Sequence, residues 1–66
     1  MKHSFENSSM LHSCTYDPEA KEMTVTFVTG KIYIYKDVDK SDYDGLCSAE
    51  SAGKYFNGIK GRLNIK

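Results

Sequence analysis

The residues best suited to chemistry lie in the last quarter of the chain. Ser51-Ala52-Gly53 reads as the opening of a helical turn, and Lys54, Lys60, Arg62 and Lys66 follow with no acid from Ala52 onward. Free backbone N–H groups at a helix start attract phosphate, and glycine lets an anion come close to the backbone. Tyr55-Phe56-Asn57 adds a ring able to stack on a base and an amide able to read a base edge, while Phe56 fits the core. Tyr33 and Tyr35 point the same way from one strand and form a second stacking candidate. The candidate ligand-binding set is therefore Tyr33, Tyr35, Ser51, Gly53, Lys54, Tyr55, Asn57, Lys60 and Arg62. A plainer account stands beside each of these. Tyr33 and Tyr35 suit a core with hydroxyls at its rim, Ser51 an ordinary N-cap among solvated lysines, and Asn57 a C-cap.

Bond-making chemistry has less support. His12 and Cys14 alternate on one strand, but no third group orients them as a nucleophile and base. No catalytic residue is expected, and the chain reads as a non-enzyme. Cys14 and Cys47, with His3 and His12, match no zinc spacing. Asp37, Asp39, Asp42 and Asp44 lack the spacing and closing Glu of a calcium loop. Neither a metal nor a cofactor is expected. The cysteines read as small buried residues, reduced and not bonded to each other.

The chain has 66 residues, enough for one domain. Such a domain buries only about 60% of the surface its unfolded chain exposes. Apolar residues make up 39% of it, so the core is thin and oligomerisation is an expected remedy. The formal net charge is +0, which argues against gripping a long polyanion but leaves room for a local basic patch. Residues 1–9 hold no apolar stretch of the secretory type, and no run approaches the ~20 apolar residues of a membrane helix. A cytoplasmic setting, bacterial or phage-infected host, is the expectation.

The elements that must position the site are read from periodicity. Residues 1–9 are expected to be a flexible lead-in to a single domain over 10–66. Leu11–Tyr16 reads as a first strand, with His12, Cys14 and Tyr16 on one side. Asp17-Pro18 opens a turn, and Glu22–Thr29 and Lys31–Lys36 are β-rich strands. A three-residue loop with Gly30 in the left-handed region places Met23, Val25 and Phe27 on the side of Tyr33 and Tyr35. Thr24, Thr26, Val28, Ile32 and Ile34 then form an opposite face too apolar for free solvent, suited to a second copy of the chain. Tyr43, Leu46 and Cys47 fall on one face of a short helix, capped at Asp39 or Ser41. Ser51 caps a second, stopped by Asn57-Gly58. Ile59–Lys66 is a basic segment, extended or loosely helical. The fold class is α+β: a three-stranded antiparallel β-meander, two short helices and a basic C-terminal segment.

These residues together resemble the KTSC domain, named for the C-terminus of some lysyl-tRNA synthetases. The resemblance runs from Ser8 to Leu63. It rests on Ser8-Ser9, Tyr16-Asp17, Val25-x-Phe27-x-x-Gly30, Tyr33-x-Tyr35, Tyr43-x-x-Leu46 and Ala49-x-Ser51-x-Gly53-x-Tyr55-Phe56-Asn57, then Ile59-Lys60. Asp39 stands where the family often has Pro, the step from Asn57 to Ile59 is one residue short, and Leu63 replaces a frequent aromatic. The resemblance implies a small α+β domain, alone or appended to larger proteins, with RNA binding as its suggested role. Neutral charge shifts the expectation toward an oligomeric, non-catalytic module that binds or sequesters small nucleotides, cyclic signalling forms among them. An RNA or single-stranded nucleic-acid binder and a protein–protein adaptor are the alternatives.

Overall fold

The structure is a computed structural model and describes residues 1–6 and 8–66. Its elements run β1 (Lys2–Ser4), β2 (Leu11–Asp17), β3 (Glu22–Phe27), β4 (Ile32–Lys36), α1 (Lys40–Ser48), α2 (Ala52–Ile59), a 3-10 turn (Lys60–Arg62) and β5 (Asn64–Ile65). The fold is α+β, an antiparallel sheet followed by two helices that cover one of its faces. The sheet has five strands in chain order, not the expected three. Both additions are edge strands too short to leave a periodic signal. β1 lies within residues 1–9 and pairs with β2 through Lys2↔Thr15, His3↔Cys14 and Ser4↔Ser13. β5 lies in the basic tail and pairs Tyr35↔Ile65 and Lys36↔Asn64.

The β3–β4 turn sets the faces. Phe27 N–H donates to the Lys31 carbonyl and Gly30 N–H to the Phe27 carbonyl. Gly30 has φ 94, which a residue without Cβ adopts freely. The loop is thus Val28-Thr29-Gly30, and the register Met23↔Tyr35, Thr24↔Ile34, Val25↔Tyr33, Thr26↔Ile32 follows. Met23, Val25 and Tyr35 are buried on the helix side, while Val28, Ile32 and Ile34 are exposed. One expectation fails in β2. A bulge between Leu11 and Ser13 changes the phase, so Leu11, Cys14 and Tyr16 are buried and His12 is exposed.

The helices are tied to the sheet by aromatics. Phe56 of α2 meets Phe27 and Tyr35 edge-on, at centroid distances of 5.7 and 5.8 Å. Tyr43 of α1 stacks on Tyr16 at 5.3 Å. The Tyr16 hydroxyl also donates to the Val38 carbonyl at 2.7 Å, and Val38 N–H donates to the Lys21 carbonyl at 2.8 Å. Val38 follows Asp37, whose φ of 58 turns the chain out of β4 toward α1. Both backbone groups of this buried corner are thereby satisfied.

Tyr16→Phe removes the donor and leaves the Val38 carbonyl buried and unpaired. A loss of about 1–3 kcal/mol is expected, read by urea denaturation with an unchanged m-value. Unaltered stability would mean that water reaches the corner.

Candidate functional site

The site is built on the turn between the helices. α1 ends at Ser48, and Ala49-Glu50-Ser51 connects it to α2. Ser51 has the extended backbone of an N-cap (φ -125, ψ 105), and its Oγ accepts from Lys54 N–H at 3.4 Å. The helix does not stop at Asn57-Gly58. Ala52, Phe56 and Ile59 share the buried face, and burying Ile59 requires the helix to run on to that residue. Neither Asn57 nor Gly58 has positive φ.

The turn divides two depressions. One, of about 820 Å³, is lined by Ala49, Glu50, Ser51, Lys54 and Tyr55. The other, of about 700 Å³, lies between the N-terminal segment and the turn and includes His3, Phe5, Glu6, Cys47, Glu50 and Gly53. Its charged lining residues, among those described, are Glu6 and Glu50, with no lysine or arginine, so it offers phosphate no cation. A Cβ on Gly53 would lie 3.5 Å from Met10 Cβ, an ordinary contact. Gly53 therefore faces the N-terminal segment and is not where an anion beside Lys54 would approach.

Three of the nine expected ligand residues, Ser51, Lys54 and Tyr55, line the first depression. Asn57 is exposed further along the same helix, and Lys60 is exposed at the start of the 3-10 turn that follows it. Lys54 and Lys60 stand about 9 Å apart along the axis at 1.5 Å per residue. Neither has a carboxylate partner among the described residues. A Cβ at Gly58 or Gly61 would meet nothing within 4 Å, so this side of α2 is open.

The remaining expected residues lie elsewhere. Tyr35 is 6% exposed and belongs to the core; burial, with Tyr33 second, raises its phenol above the ordinary range. Tyr33 sits at the rim, edge-on to Phe27 at 5.6 Å. Arg62 holds Asp42 with both guanidinium nitrogens, at 2.9 and 2.6 Å. That hydrogen bond raises the arginine further. Tyr55 lies across from Gly45 and Arg62 from Asp42, so α1 and α2 run antiparallel. Arg62 is thus at the end of the pair remote from Ser51. Its guanidinium is hydrogen-bonded to Asp42, a structural contact that stands beside its expected part as a ligand cation.

Two structural partners went unread in the sequence although signals were present. Asp42 is buried on the α1 stripe with Tyr43 and Leu46, and a carboxylate on such a stripe requires a cation. Gly45 sits in mid-helix, where glycine costs stability unless something approaches closely. A Cβ there would fall on the Tyr55 hydroxyl. Among the described residues no group of three His, Cys, Asp or Glu side chains is arranged to hold a metal ion. Nor, among the described residues, is any helix long and apolar enough to cross a membrane.

The KTSC domain profile matches residues 7–62. The chain belongs to the KTSC family. A crystal structure of a KTSC domain protein from Yersinia pestis superposes with a TM-score of 0.90 at 28% identity, covering 100% of this chain and 93% of that one. A Tsukamurella paurometabola protein is 36% identical over 52 residues, 79% of this chain and 78% of its own. A Stutzerimonas stutzeri protein is 37% identical over 59 residues, 89% and 83% of the respective chains. The five-stranded sheet with its helical hairpin is therefore a fold this KTSC domain shares with the solved Yersinia protein.

Tyr55 owes its pose to Gly45. Gly45→Ala should overpack the helix pair and cost about 1–3 kcal/mol, and Tyr55→Phe in the same chain should restore part of it. Additive costs in a double-mutant denaturation cycle would remove the contact.

Proposed function

We propose that this KTSC domain is a non-catalytic binding module for a phosphate-bearing nucleotide. The observation that carries the reading is the depression that gathers Ser51, Lys54 and Tyr55 at the start of α2. Backbone donors at the helix start and the Lys54 ammonium supply the anion contacts. The Tyr55 ring, partly exposed above Gly45, supplies a surface for the base. With Arg62 engaged, the cations left for phosphate are Lys54 and Lys60, which suits one or two phosphates. A small nucleotide, linear or cyclic, fits that charge, and the domain would sequester it in the cytoplasm. Single-stranded RNA is the second reading. It is favoured by the open stripe Asn57, Gly58, Lys60 and Gly61, along which a backbone could lie.

Calorimetry against mononucleotides, cyclic dinucleotides and short RNA separates the two. Lys54→Ala should weaken nucleotide binding roughly tenfold, the worth of one charge-assisted hydrogen bond of about 1.5 kcal/mol, with the melting temperature unchanged. Lys60→Ala should act in the same direction. Unchanged affinity in both would exclude this site, and tight RNA binding with a steep salt slope would favour the second reading.

The uncovered sheet face bears on assembly. Val28, Ile32 and Ile34 are 51%, 61% and 39% exposed, beside Thr24 and Thr26. β-branched faces of this kind interdigitate about 10 Å apart in sheet-on-sheet packing. A neutral chain offers little net repulsion to its own copy. We therefore place a second copy on this face. Sedimentation should give a dimer that Ile34→Lys dissociates at micromolar concentration, and a monomeric wild type would refute the interface.

A further inference from the structure

Glu50 is the one charged residue of the depression at the start of α2 to which the nucleotide reading gives no part. The depression, of about 820 Å³, is lined by Ala49, Glu50, Ser51, Lys54 and Tyr55, and Glu50 is its only carboxylate among the described residues. Ser51, Lys54 and Tyr55 stand at i, i+3 and i+4, so they share one side of the first turn. Glu50 precedes the cap. Ser51, at φ -125 and ψ 105, takes the chain out of the helical path. Glu50 and Lys54 are four residues apart but lack the helical geometry that joins such a pair, and no ion pair forms between them. Glu50 has no other cation partner among the described residues. It is exposed, on the ridge between the two depressions, and can meet a ligand without giving up an ion pair.

A free carboxylate is a poor neighbour for phosphate. It opposes the charge that Lys54 attracts unless the ligand also brings hydrogen-bond donors to it. An ionised carboxylate only accepts, and its two oxygens match two parallel donors best. The Watson–Crick edges of the bases differ in this respect. Guanine presents N1–H and its 2-amino group as adjacent donors. Adenine and cytosine set one amino donor beside a ring-nitrogen acceptor. Uracil sets one N–H between two carbonyl acceptors. In each of those three, an acceptor would face the lone pairs of the carboxylate, and such repulsion discriminates as surely as attraction.

We propose that Glu50 makes this depression selective for guanine nucleotides. The carboxylate receives N1–H and the 2-amino group, the ring lies on Tyr55, and the phosphate is held at the helix start and by Lys54. The inference rests on the nucleotide reading of the same site and names the base that the site takes. Glu50 sets specificity and Lys54 sets affinity, because the first meets the part of the ligand that varies and the second the part that does not.

The test is calorimetry on the folded chain with the 5′-monophosphates of guanosine, adenosine, cytidine, uridine and inosine. Guanosine monophosphate should bind tightest, by roughly tenfold over the adenosine form, the discrimination of one bidentate pair. Inosine monophosphate keeps N1–H and lacks the 2-amino group, so it should fall between them. Glu50→Gln replaces one acceptor oxygen with an amide donor. It should abolish the guanine preference with the melting temperature unchanged. Lys54→Ala should weaken all five ligands alike and leave their order intact. If none of the five binds, the nucleotide reading itself fails and this inference with it. Equal affinity across the bases, inosine as tight as guanosine, or a guanine preference that survives Glu50→Gln would overturn the assignment of Glu50 alone.

Discussion

The corner at Val38 is the constraint on which the helical half of the molecule depends. The chain leaves β4 through Asp37, in left-handed backbone, and must start α1 within three residues. Such a turn, buried at Val38, would strand two backbone groups. The Lys21 carbonyl takes the Val38 N–H, and the Tyr16 hydroxyl serves the Val38 carbonyl. Lys21 itself has φ 56, so one left-handed residue in the β2–β3 turn meets another at the end of β4. Tyr16 then carries the stack with Tyr43, which orients α1 over the sheet. The position of α2, and with it of Ser51 and Lys54, follows from α1 through the short connection and the contact of Tyr55 with Gly45.

Charge pairing decides which cations remain for a ligand. Asp39 holds Lys21 at 3.1 Å, Asp44 holds Lys40 at 2.9 Å, and Asp42 holds Arg62. Three of the four acids of the run, Asp39, Asp42 and Asp44, are therefore paired within the fold. The first two pairs are exposed and contribute little. The third is different, because Asp42 is 7% exposed and an unpaired carboxylate there would be costly. The guanidinium fork satisfies both oxygens at once and ties the 3-10 turn to the start of α1. A basic C-terminal stretch that looked like one patch is in this way split into an arginine held by Asp42, a Lys66 held by Glu22 at 2.9 Å, and Lys54 and Lys60, which have no carboxylate partner among the described residues.

The central part of the fold was legible in the sequence for a definite reason. A period of two in Glu22–Phe27 and Ile32–Lys36, broken by Gly30, allows a two-residue or a three-residue loop, and gathering the aromatics on one face favours the three-residue register that puts Met23 and Val25 on the side of Tyr35. That register is the one observed. What was not legible depends on contacts distant in sequence or on segments too short for a period. β1 and β5 have three and two residues, and their pairing is decided by the strands they meet. The β2 bulge is invisible because Leu11-His12-Ser13 alternates acceptably in either phase. Asn57-Gly58 resembles a helix end locally, but Ile59 buries more apolar surface as helix than the pair could offer as a cap. Of the site, Ser51 as cap and the exposure of Lys54 and Lys60 followed from local pattern. The loss of Tyr35 to the core and of Arg62 to Asp42 followed from tertiary contacts, which spacing alone does not encode.

The glycines of the helical segment extend the same reasoning to the surface. Each glycine within a helix costs about 0.5–1 kcal/mol relative to alanine, a large amount for a domain with so lean a core. Gly45 has a steric reason, since the Tyr55 hydroxyl occupies the space a Cβ would take. Gly58 and Gly61 have none inside the chain: their φ angles are negative and the space beside them is empty. Both lie near Asn57 and Lys60, on the side of α2 that the core does not use. On the binding reading, that side benefits from a bare backbone, because a missing Cβ lets a ligand approach the helix closely. The same two positions also separate the alternatives. A nucleotide confined to the Ser51 depression would not touch Gly61, whereas a strand of RNA following α2 would pass it. Alanine at Gly61 is therefore neutral for the first ligand and obstructive for the second.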